Sequence, residues 1–572
     1  MLDVVIRGGE VVDGTGGPRH RADVGIRSGR VVGVGAVDED ATRTIDADGL
    51  VVAPGFIDIH THYDAQVLWD PATTPSPFHG VTSIVGGNCG FTIAPVEPSE
   101  VEYLTRMLAR VEGMPLEALL AGVPYDWRSF GEYLDRLDGT LAVNAGFLVG
   151  HSAIRRVVMG DDAVGHEARP EQVDAMSRLL GESIAAGGLG FSSSQATTHN
   201  DGDGDPVPSR AATPDELVAL AREAGRHEGT TLEFIPAVGG FKEQHLELMA
   251  RMSEAADRPL NWNVLVPNAA RAELAWQALQ ASDYAAERGG RVIALTVPDV
   301  MRTHLTFKAG FVLDALPGWN KTMALPPAEK MRALADPAER ARLAERASSD
   351  EAGMLRGLAR WENMTIVETF APANEGLVGR RVGDIAAERG QVPFDALLDV
   401  VLADELRTVL LPPLAGNDDA SWELRRDIWR DERAVVGASD AGAHLDMLST
   451  FSYSTAMLRA CRERGLMPLE EAVHLLTDRQ ARLYGIKGRG RVAEGGCADL
   501  VLFDEDRVAP APVVWRNDLP AGAGRLYAGA EGIDRVLVNG VEIVRSGELT
   551  GERPGTLLRS GRDTETVTAQ PR

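Results

Sequence analysis

Cysteines and long apolar runs are the two features that this sequence most clearly lacks. Only three cysteines occur among 572 residues, at the scattered positions Cys89, Cys461 and Cys497. So few dispersed cysteines exclude a disulfide framework and favour a reducing compartment. No stretch approaches the roughly 18 consecutive apolar residues of a membrane-spanning helix, and the N-terminus has no apolar segment of the kind found in secretory leaders. We therefore expect a cytoplasmic protein without a membrane partner.

Basic residues are also in short supply. There are 58 Lys and Arg against 84 Asp and Glu, which gives a formal net charge of −26. This surplus of negative charge repels nucleic-acid phosphates and anionic lipids, and so argues against both as partners. With 44% hydrophobic residues the chain can bury a large core, and its length predicts two or three structural units. A small-molecule substrate is the partner that this composition favours, and whether the protein forms a homo-oligomer stays open.

The two ends of the chain have the same β-rich pattern. Residues 1–54 and 486–555 both consist of short segments separated by Gly and Asp turns, such as "DVGIRSGRVVGVG" and "GIDRVLVNGVEIV". We expect these two stretches to build one small β-sandwich domain. Residues 556–572 are polar, and we predict a flexible tail there.

The middle of the chain, residues 55–485, alternates strand-like runs with helical patterns, as βα units do. There are eight such runs: "GFIDIHTH" (55–62), "GVTSIVGGNCG" (80–90), "LAVNAGFLVGHS" (141–152), "GLGFSSS" (188–194), "TTLEFIPAV" (230–238), "PLNWNVLV" (259–266), "RVIALTV" (291–297) and "AVVGASDAGAH" (434–444). The predicted fold class is therefore α/β, with a (β/α)8 TIM-like barrel. The gap between the last two runs exceeds one crossover helix, which predicts an insertion at about residues 305–430.

The first run ends in two histidines one residue apart, His60 and His62. Side chains at i and i+2 of a strand point to the same face, and barrel enzymes place their chemistry at the C-terminal ends of their strands. Imidazole is a common zinc ligand, so this pair can supply half of a tetrahedral shell. Two surface histidines would explain the motif equally well, so a metal site needs ligands from other strands.

Two other strand ends carry groups that can bind a metal. Cys89 closes the second run among glycines, and Asp440 closes the eighth. A lone cysteine is more often an inert buried side chain, and an aspartate after a strand is often a helix N-cap. In the company of His60 and His62 they indicate a metal centre. In such a centre Asp440 can touch the ion and also take a proton from its water.

The chain resembles the amidohydrolase superfamily, and within it the D-aminoacylase (N-acyl-D-amino-acid deacylase) family. The resemblance rests on "VVAPGFIDIHTHYD", "GVTSIVGGNCGF", "LVGHSAIR", "GLGFSSS", "GASDAGAH" and "GRGRVAEGGCADLVLFD". It implies a (β/α)8 barrel with a β-sandwich made from both termini. It also implies a zinc site in which a cysteine takes the bridging place that a carboxylated lysine fills in many relatives, and no lysine precedes Lys242 here. By this resemblance His60, His62, Cys89 and Asp440 are the metal and catalytic positions.

Two histidines that the resemblance implies are missing. The family presents one at the end of the fifth strand and one at the sixth, whereas here these runs contain none. Glu233 is the nearest metal-capable group on the fifth run, and Asn263 on the sixth would be a poor zinc ligand. We expect at most one well-held divalent ion, zinc first, with iron or manganese as alternatives, and a metal-free site stays open. The expected ligands lie at the strand ends: His60, His62, Asp440, Cys89 and Glu233.

Three further residues are candidates for substrate contacts. His151 lies at the end of the third run, Ser193 in the hydroxyl-rich end of the fourth, and His444 four residues beyond Asp440. His151 could equally be a core histidine with satisfied hydrogen bonds, and His444 a histidine at a helix start.

These residues predict metal-assisted hydrolysis of a linear amide, with Asp440 as general base and then general acid. By the family resemblance the substrate is an N-acyl-D-amino acid. A cyclic-amide hydrolase of the hydantoinase or dihydroorotase kind is one alternative, because it shares the two histidines and the aspartate but not the context of Cys89. A non-catalytic binding protein that has lost part of its metal site is the other.

Overall fold

The structure, a computed structural model, describes residues 1–308, 310 and 312–570. The N-terminal segment forms five strands: β1 Leu2–Val11, β2 His20–Arg27, β3 Arg30–Gly35, β4 Ala41–Asp46 and β5 Val51–Pro54. β1 pairs with β2 in antiparallel fashion and with β4 and β5 in parallel. The Val and Ile side chains on one face of these strands form a small apolar core together with residues of the C-terminal segment, such as Leu500 and Leu537.

Each of the eight strand-like runs contains a parallel strand, and the third run contains two short ones. The bounds, with the two strands of the insertion in chain order, are β6 Phe56–Asp58, β7 Val81–Gly86, β8 Asn144–Phe147, β9 Val149–Gly150, β10 Gly190–Ser194, β11 Thr231–Ile235, β12 Leu260–Leu265, β13 Val292–Thr296, β14 Thr365–Glu368, β15 Val409–Leu411 and β16 Ala434–Val436. Most of the residues in the parallel strands are buried, because helices cover the outer face.

The parallel strands follow one continuous order. They form two sheets, β6-β7-β8 and β9-β10-β11-β12-β13-β16. The Leu148 N–H donates to the Gly86 carbonyl at 2.9 Å, which bridges the break between β8 and β9. Beyond β6 and β16, the His62 N–H donates to the Ala441 carbonyl at 2.7 Å. The segment after the last parallel strand therefore lies beside the segment after the first.

Helices connect these strands and fill the insertion. They are α1 Val101–Val111, α2 Leu116–Gly122, α3 Phe130–Leu137, α4 His151–Met159, α5 Pro170–Ala185, α6 Pro214–Gly225, α7 Glu243–Ala256, α8 Ala272–Ala286, α9 Asn320–Met323, α10 Pro327–Ala335, α11 Pro337–Ser348, α12 Val382–Arg389, α13 Pro393–Ala403, α14 Asp419–Arg430, α15 Tyr453–Arg464, α16 Leu469–Leu476 and α17 Asp478–Tyr484. Within the described residues, no helix has both the length and the apolar character needed to cross a membrane.

The insertion between β13 and β16 has an apolar core of its own. This core runs from Leu305 to Leu410 and also takes in Met447 and Leu448 from the segment after β16. At its centre the rings of Trp319 and Trp361 stack with their centroids 5.6 Å apart. At the end of the predicted insertion, α14 contributes its buried Trp422 and Trp429 to a different apolar core, which also contains Val292 and Val436 of the parallel strands.

The C-terminal segment returns to the N-terminal sheet. Its strands are β17 Leu500–Phe503, β18 Ala509–Pro510, β19 Val514–Arg516, β20 Arg525–Tyr527, β21 Ala530–Glu531, β22 Ile533–Val538, β23 Val541–Arg545 and β24 Glu548–Leu549. β17 pairs with β5 in antiparallel fashion, and this joins the two ends of the chain in a nine-stranded sheet ordered β24-β23-β22-β17-β5-β1-β2-β3, with β4 on β1.

Residues 556–570 pack against the parallel strands, where the sequence had predicted a flexible tail. Leu557 and Leu558 are buried, and the Leu558 N–H donates to the Ala145 carbonyl at 2.8 Å. Further along, the Glu565 N–H donates to the Gly485 carbonyl at 2.8 Å. Two leucines and backbone hydrogen bonds hold this segment in place. The polar composition of the segment does not indicate these contacts.

Candidate metal centre and active site

His60 and His62 follow β6 and bring their Nε2 atoms to the same place as the sulfur of Cys89. The Sγ atom of Cys89 lies 3.4 Å from Nε2 of His60 and 3.8 Å from Nε2 of His62. All three side chains are buried, and their ligand atoms lie within 4.8 Å of one another. The structure therefore brings together the three residues that the two strand ends were predicted to supply.

The turn that carries Cys89 depends on its glycines. Cys89 has a φ of +58°, and Gly87 and Gly90 are also left-handed, at +74° and +79°. A Cβ on Gly87 would lie 2.2 Å from the Leu148 carbonyl oxygen, so only glycine fits there. The Ser192 hydroxyl donates to the Gly87 carbonyl and accepts the Gly90 N–H at 3.1 Å. These two hydrogen bonds from β10 hold the turn on both sides of Cys89, so that the thiol points to the histidines.

Asp440 approaches the histidines from the segment after β16. Its Oδ1 atom lies 3.3 Å from Nε2 of His60 and 3.7 Å from Nε2 of His62. The Asn263 amide donates to the same oxygen at 3.4 Å. Burial by itself would raise the pKa of Asp440, but the hydrogen bonds and charges of the two histidines outweigh it and hold that pKa well below its usual range. The carboxylate is therefore ionised and lies beside the ligand atoms.

Glu233, on β11, reaches the same cluster from a third direction. Its Oε2 atom accepts the Cys89 backbone N–H at 2.8 Å. Its Oε1 atom is buried and has no hydrogen-bond partner among the described residues. Burial raises the pKa of Glu233 to about 7. A cation bound at the imidazole and thiol groups would give this carboxylate oxygen the partner that it lacks. The donor set therefore fits a divalent metal ion.

Glu112 is a residue of this site that the sequence did not reveal. It caps the C-terminal end of α1, and its Oε1 atom lies 3.2 Å from Nδ1 of His62. Its side chain is 3% exposed. No motif surrounds it in "RVEGMP", and only the packing of α1 beside the strand ends brings it to His62.

His444 lies next to Glu112, within the segment that follows Asp440. Its backbone N–H donates to the Glu112 carbonyl. Burial lowers the pKa of His444 to about 4, so its ring is neutral near pH 7. The structure thus places His444 at the edge of the site, and its role as a substrate contact stays a prediction.

His151 and Ser193 lie in a different network. The Ser193 hydroxyl is 2.8 Å from Nδ1 of His151, and Oε1 of Glu216 is 2.9 Å from its Nε2. Arg155 donates to the same Glu216 carboxylate. Both ring nitrogens of His151 are therefore taken up by protein partners, and all four side chains are buried. This arrangement ties β10 to α4 and α6, and the substrate contacts expected of His151 and Ser193 stay a prediction.

Comparison with known proteins agrees with this geometry. The sequence profile of the amidohydrolase family matches residues 43–544. The chain belongs to the amidohydrolase family. The family acts on carbon–nitrogen bonds other than peptide bonds, so the protein is a hydrolase of this type.

The curated relatives of this amidohydrolase include enzymes that act on D-amino acid derivatives. It is 29% identical to the D-aminoacylase of Alcaligenes xylosoxydans xylosoxydans over 97% of each chain. It is 30% identical to the N-acyl-D-glutamate deacylase of the same organism, over 98% of this chain and 96% of that one. The resemblance to D-aminoacylases expected from the sequence is confirmed.

Solved structures of amidohydrolases match along nearly the whole chain. A D-aminoacylase crystal structure superposes with a TM-score of 0.67 at 27% identity, covering 98% of this chain and 100% of that one. An N-acyl-D-glutamate deacylase from Bordetella bronchiseptica, in complex with zinc and a phosphonate inhibitor, superposes with a TM-score of 0.65 at 26% identity and the same coverage. The fold is thus the α/β fold of these amidohydrolases, and a divalent metal is supported for this chain.

Proposed function

We propose that this amidohydrolase removes the acyl group from N-acyl-D-amino acids by metal-assisted hydrolysis of a linear amide. The observation that carries the proposal is the convergence of His60, His62 and Cys89 with the ionised Asp440 carboxylate beside them. This set of residues places a proton acceptor next to a cation-binding site, as metal-assisted hydrolysis requires. The substrate class is taken from the relatives, which include a D-aminoacylase and deacylases of N-acyl-D-glutamate and N-acyl-D-aspartate.

The architecture that we propose for it is a closed (β/α)8 barrel with a β-sandwich built from both chain ends. In support, the eight parallel runs follow one order in which the last adjoins the first, as described above. His60, His62, Cys89 and Asp440 lie where the chain leaves the C-terminal ends of β6, β7 and β16, which is where barrel enzymes carry their catalytic groups, and Glu233 joins them from within β11.

Few residues take part in the proposed reaction. His60, His62 and Cys89 would hold a divalent cation, with Glu233 and Asp440 able to complete its shell. Bound there, the cation would polarise the acyl carbonyl and lower the pKa of the attacking water toward about 7.

Asp440 moves the proton. Its carboxylate takes a proton from the attacking water and gives it to the amine as the carbon–nitrogen bond breaks. The hydrogen bond from Asn263 to Oδ1 of Asp440 holds the carboxylate in place for both transfers. The products are a carboxylic acid and a free amino acid.

The ion that best suits this donor set is a single zinc, because imidazole and thiolate are borderline and soft ligands. Glu233 and Asp440 add oxygen ligands, which would let iron or manganese compete. Metal analysis of the purified protein tests this directly: we expect about one ion per chain and loss of hydrolysis after treatment with a chelator.

Substrate assays test the reaction itself. We expect release of amino acid from N-acyl-D-amino acids, slower release from the L-enantiomers, and no opening of hydantoins or dihydropyrimidines. Preferred turnover of a cyclic amide would overturn the proposal in favour of a hydantoinase-like enzyme. Absence of hydrolysis after zinc, iron and manganese have each been supplied would favour a binding protein.

A further inference from the structure

We propose that Glu112 is a positioning residue of the metal centre, which holds the His62 ring with Nε2 directed at the ion. This inference rests on the proposed function, because it concerns the same metal site. Nothing in the motif that carries His62 points to this partner, which lies at the end of a helix about fifty residues further along the chain.

The contact with Glu112 suits the tautomer of His62 that metal binding through Nε2 requires. In a neutral imidazole one ring nitrogen donates a hydrogen bond and the other accepts, whereas a carboxylate can only accept. When Nε2 binds an ion, the ring proton must lie on Nδ1, which is 3.2 Å from Oε1 of Glu112 and can donate to it. Nε2 then presents its lone pair on the side where Cys89 Sγ is 3.8 Å away. A carboxylate that accepts from the outer nitrogen of a histidine ligand also makes that ligand more basic.

His60 has no such support. Its Nδ1 is buried without a hydrogen-bond partner among the described residues. Its backbone is fixed instead, because the Ser439 hydroxyl donates to the His60 carbonyl at 3.2 Å and to the Asp58 carboxylate at 2.6 Å. The two histidines are therefore held by different means, and among the described residues only His62 has a carboxylate beside its Nδ1.

Glu112 itself is firmly placed. Its carbonyl accepts the His444 N–H from the segment after Asp440. The next residue, Gly113, has a φ of +58°, and a Cβ there would lie 3.2 Å from Cα of His444. Two residues earlier, Arg110 donates to the Asp314 carboxylate of the insertion at 2.8 Å. The end of α1 is thus held by contacts with both the insertion and the site. A residue that orients a metal ligand needs such a fixed position.

The test measures metal binding by the apoprotein, in competition with a chromophoric chelator, for the wild type, Glu112→Ala and Glu112→Gln. We expect Glu112→Ala to weaken Zn2+ binding by roughly 10- to 100-fold, because outer partners of histidine ligands have effects of that size. Glu112→Gln keeps an acceptor oxygen and should recover part of the affinity. Glu102→Ala, at an exposed position of the same helix, should bind like the wild type.

The visible spectrum of the Co2+-substituted protein gives a second readout, which a general loss of stability would not alter. We expect the ligand-field bands to change in Glu112→Ala and to return toward wild type in Glu112→Gln. Wild-type affinity and spectrum in Glu112→Ala would overturn the inference while leaving the proposed function intact. If Glu112→Ala does not fold, Glu112→Asn decides, and wild-type affinity in that variant is equally contradictory. A wild-type protein that binds no metal would overturn both proposals.

Discussion

Asp440 and His60 come from opposite ends of the series of parallel strands, yet Oδ1 of Asp440 lies 3.3 Å from Nε2 of His60. A proton acceptor in contact with a metal-binding atom can take a proton from water that is bound at the same place. The contact exists because the segment after β16 lies beside the segment after β6, where the Ser439 hydroxyl links the Asp58 carboxylate to the His60 carbonyl.

Replacing Asp440 by asparagine should remove the proton acceptor while keeping the shape of the side chain. General acid–base groups contribute roughly 10²- to 10⁴-fold to the rate, so we expect kcat to fall by about that factor with KM much less affected. Steady-state kinetics on an N-acyl-D-amino acid provide the measurement. Asp427→Asn, the same substitution at a half-exposed helical position, is the control. Wild-type turnover in Asp440→Asn would remove the residue from its proposed role.

Cys89→Ser should weaken metal binding more than Glu112→Ala does, because a soft thiolate ligand is replaced by a hydroxyl. Burial and the nearby charges of Glu233 and Glu112 raise the pKa of the Cys89 thiol, so a bound cation is what would make it a thiolate. In the Co2+-substituted protein we expect a thiolate-to-cobalt charge-transfer band that disappears in Cys89→Ser. Cys497→Ser, a half-buried cysteine of the C-terminal segment, should retain the band. Its presence in both variants would exclude Cys89 as a ligand.

The parallel strands could be predicted from the sequence because most of them are apolar runs, buried on both faces, that are followed by a glycine or a polar group. His60, His62, Cys89 and Asp440 could be proposed for the same reason, since each follows such a run, and the structure places them together. Glu112 could not be found, because its position depends on how α1 packs and not on any local pattern.

Two other parts of the chain have packing that the sequence does not indicate. His151 ends a strand-like run as the metal ligands do, but it begins α4, and its ring turns to Glu216 in the helical layer. The packed segment 556–570 is polar in composition, and its hydrogen bonds run to backbone groups that sequence patterns do not identify.

Breaking the ion pair that joins α1 to the insertion should destabilise the protein strongly, because it leaves one buried charge without its partner. The side chains of Arg110 and Asp314 are 9% and 1% exposed, and removing one partner of a buried pair costs about 3–5 kcal/mol. We therefore expect Asp314→Ala to lower the free energy of unfolding by about that amount, measured by urea unfolding. In the control, Asp350→Ala breaks the exposed pair with Arg356 and should cost about 0–1 kcal/mol. Equal, small effects of the two substitutions would contradict a structural role for the buried pair.

His79 should make the protein sensitive to acid. It lies between α15 and the C-terminal segment, with Nε2 3.1 Å from the Ala528 carbonyl and Nδ1 2.7 Å from the Thr455 hydroxyl. Burial lowers the pKa of His79 from 6.5 to about 4. Between these values the unfolded chain binds a proton that the folded protein does not, so stability is complete above pH 6.5 and falls as the pH drops toward 4. The full loss from this one group is about 3 kcal/mol.

His79→Gln removes this titration and should flatten the dependence of stability on pH. We expect the variant to be less stable than the wild type at pH 7.5, because it loses hydrogen bonds of the ring, and the difference to shrink by up to about 3 kcal/mol as the pH falls to 4. Urea unfolding followed by tryptophan fluorescence across this range provides the measurement. His20→Gln, on an exposed position of β2, should keep the wild-type dependence. Parallel curves for the wild type and His79→Gln would mean that the buried ring does not resist protonation, because a neutral His79 in the folded state requires the two curves to converge in acid.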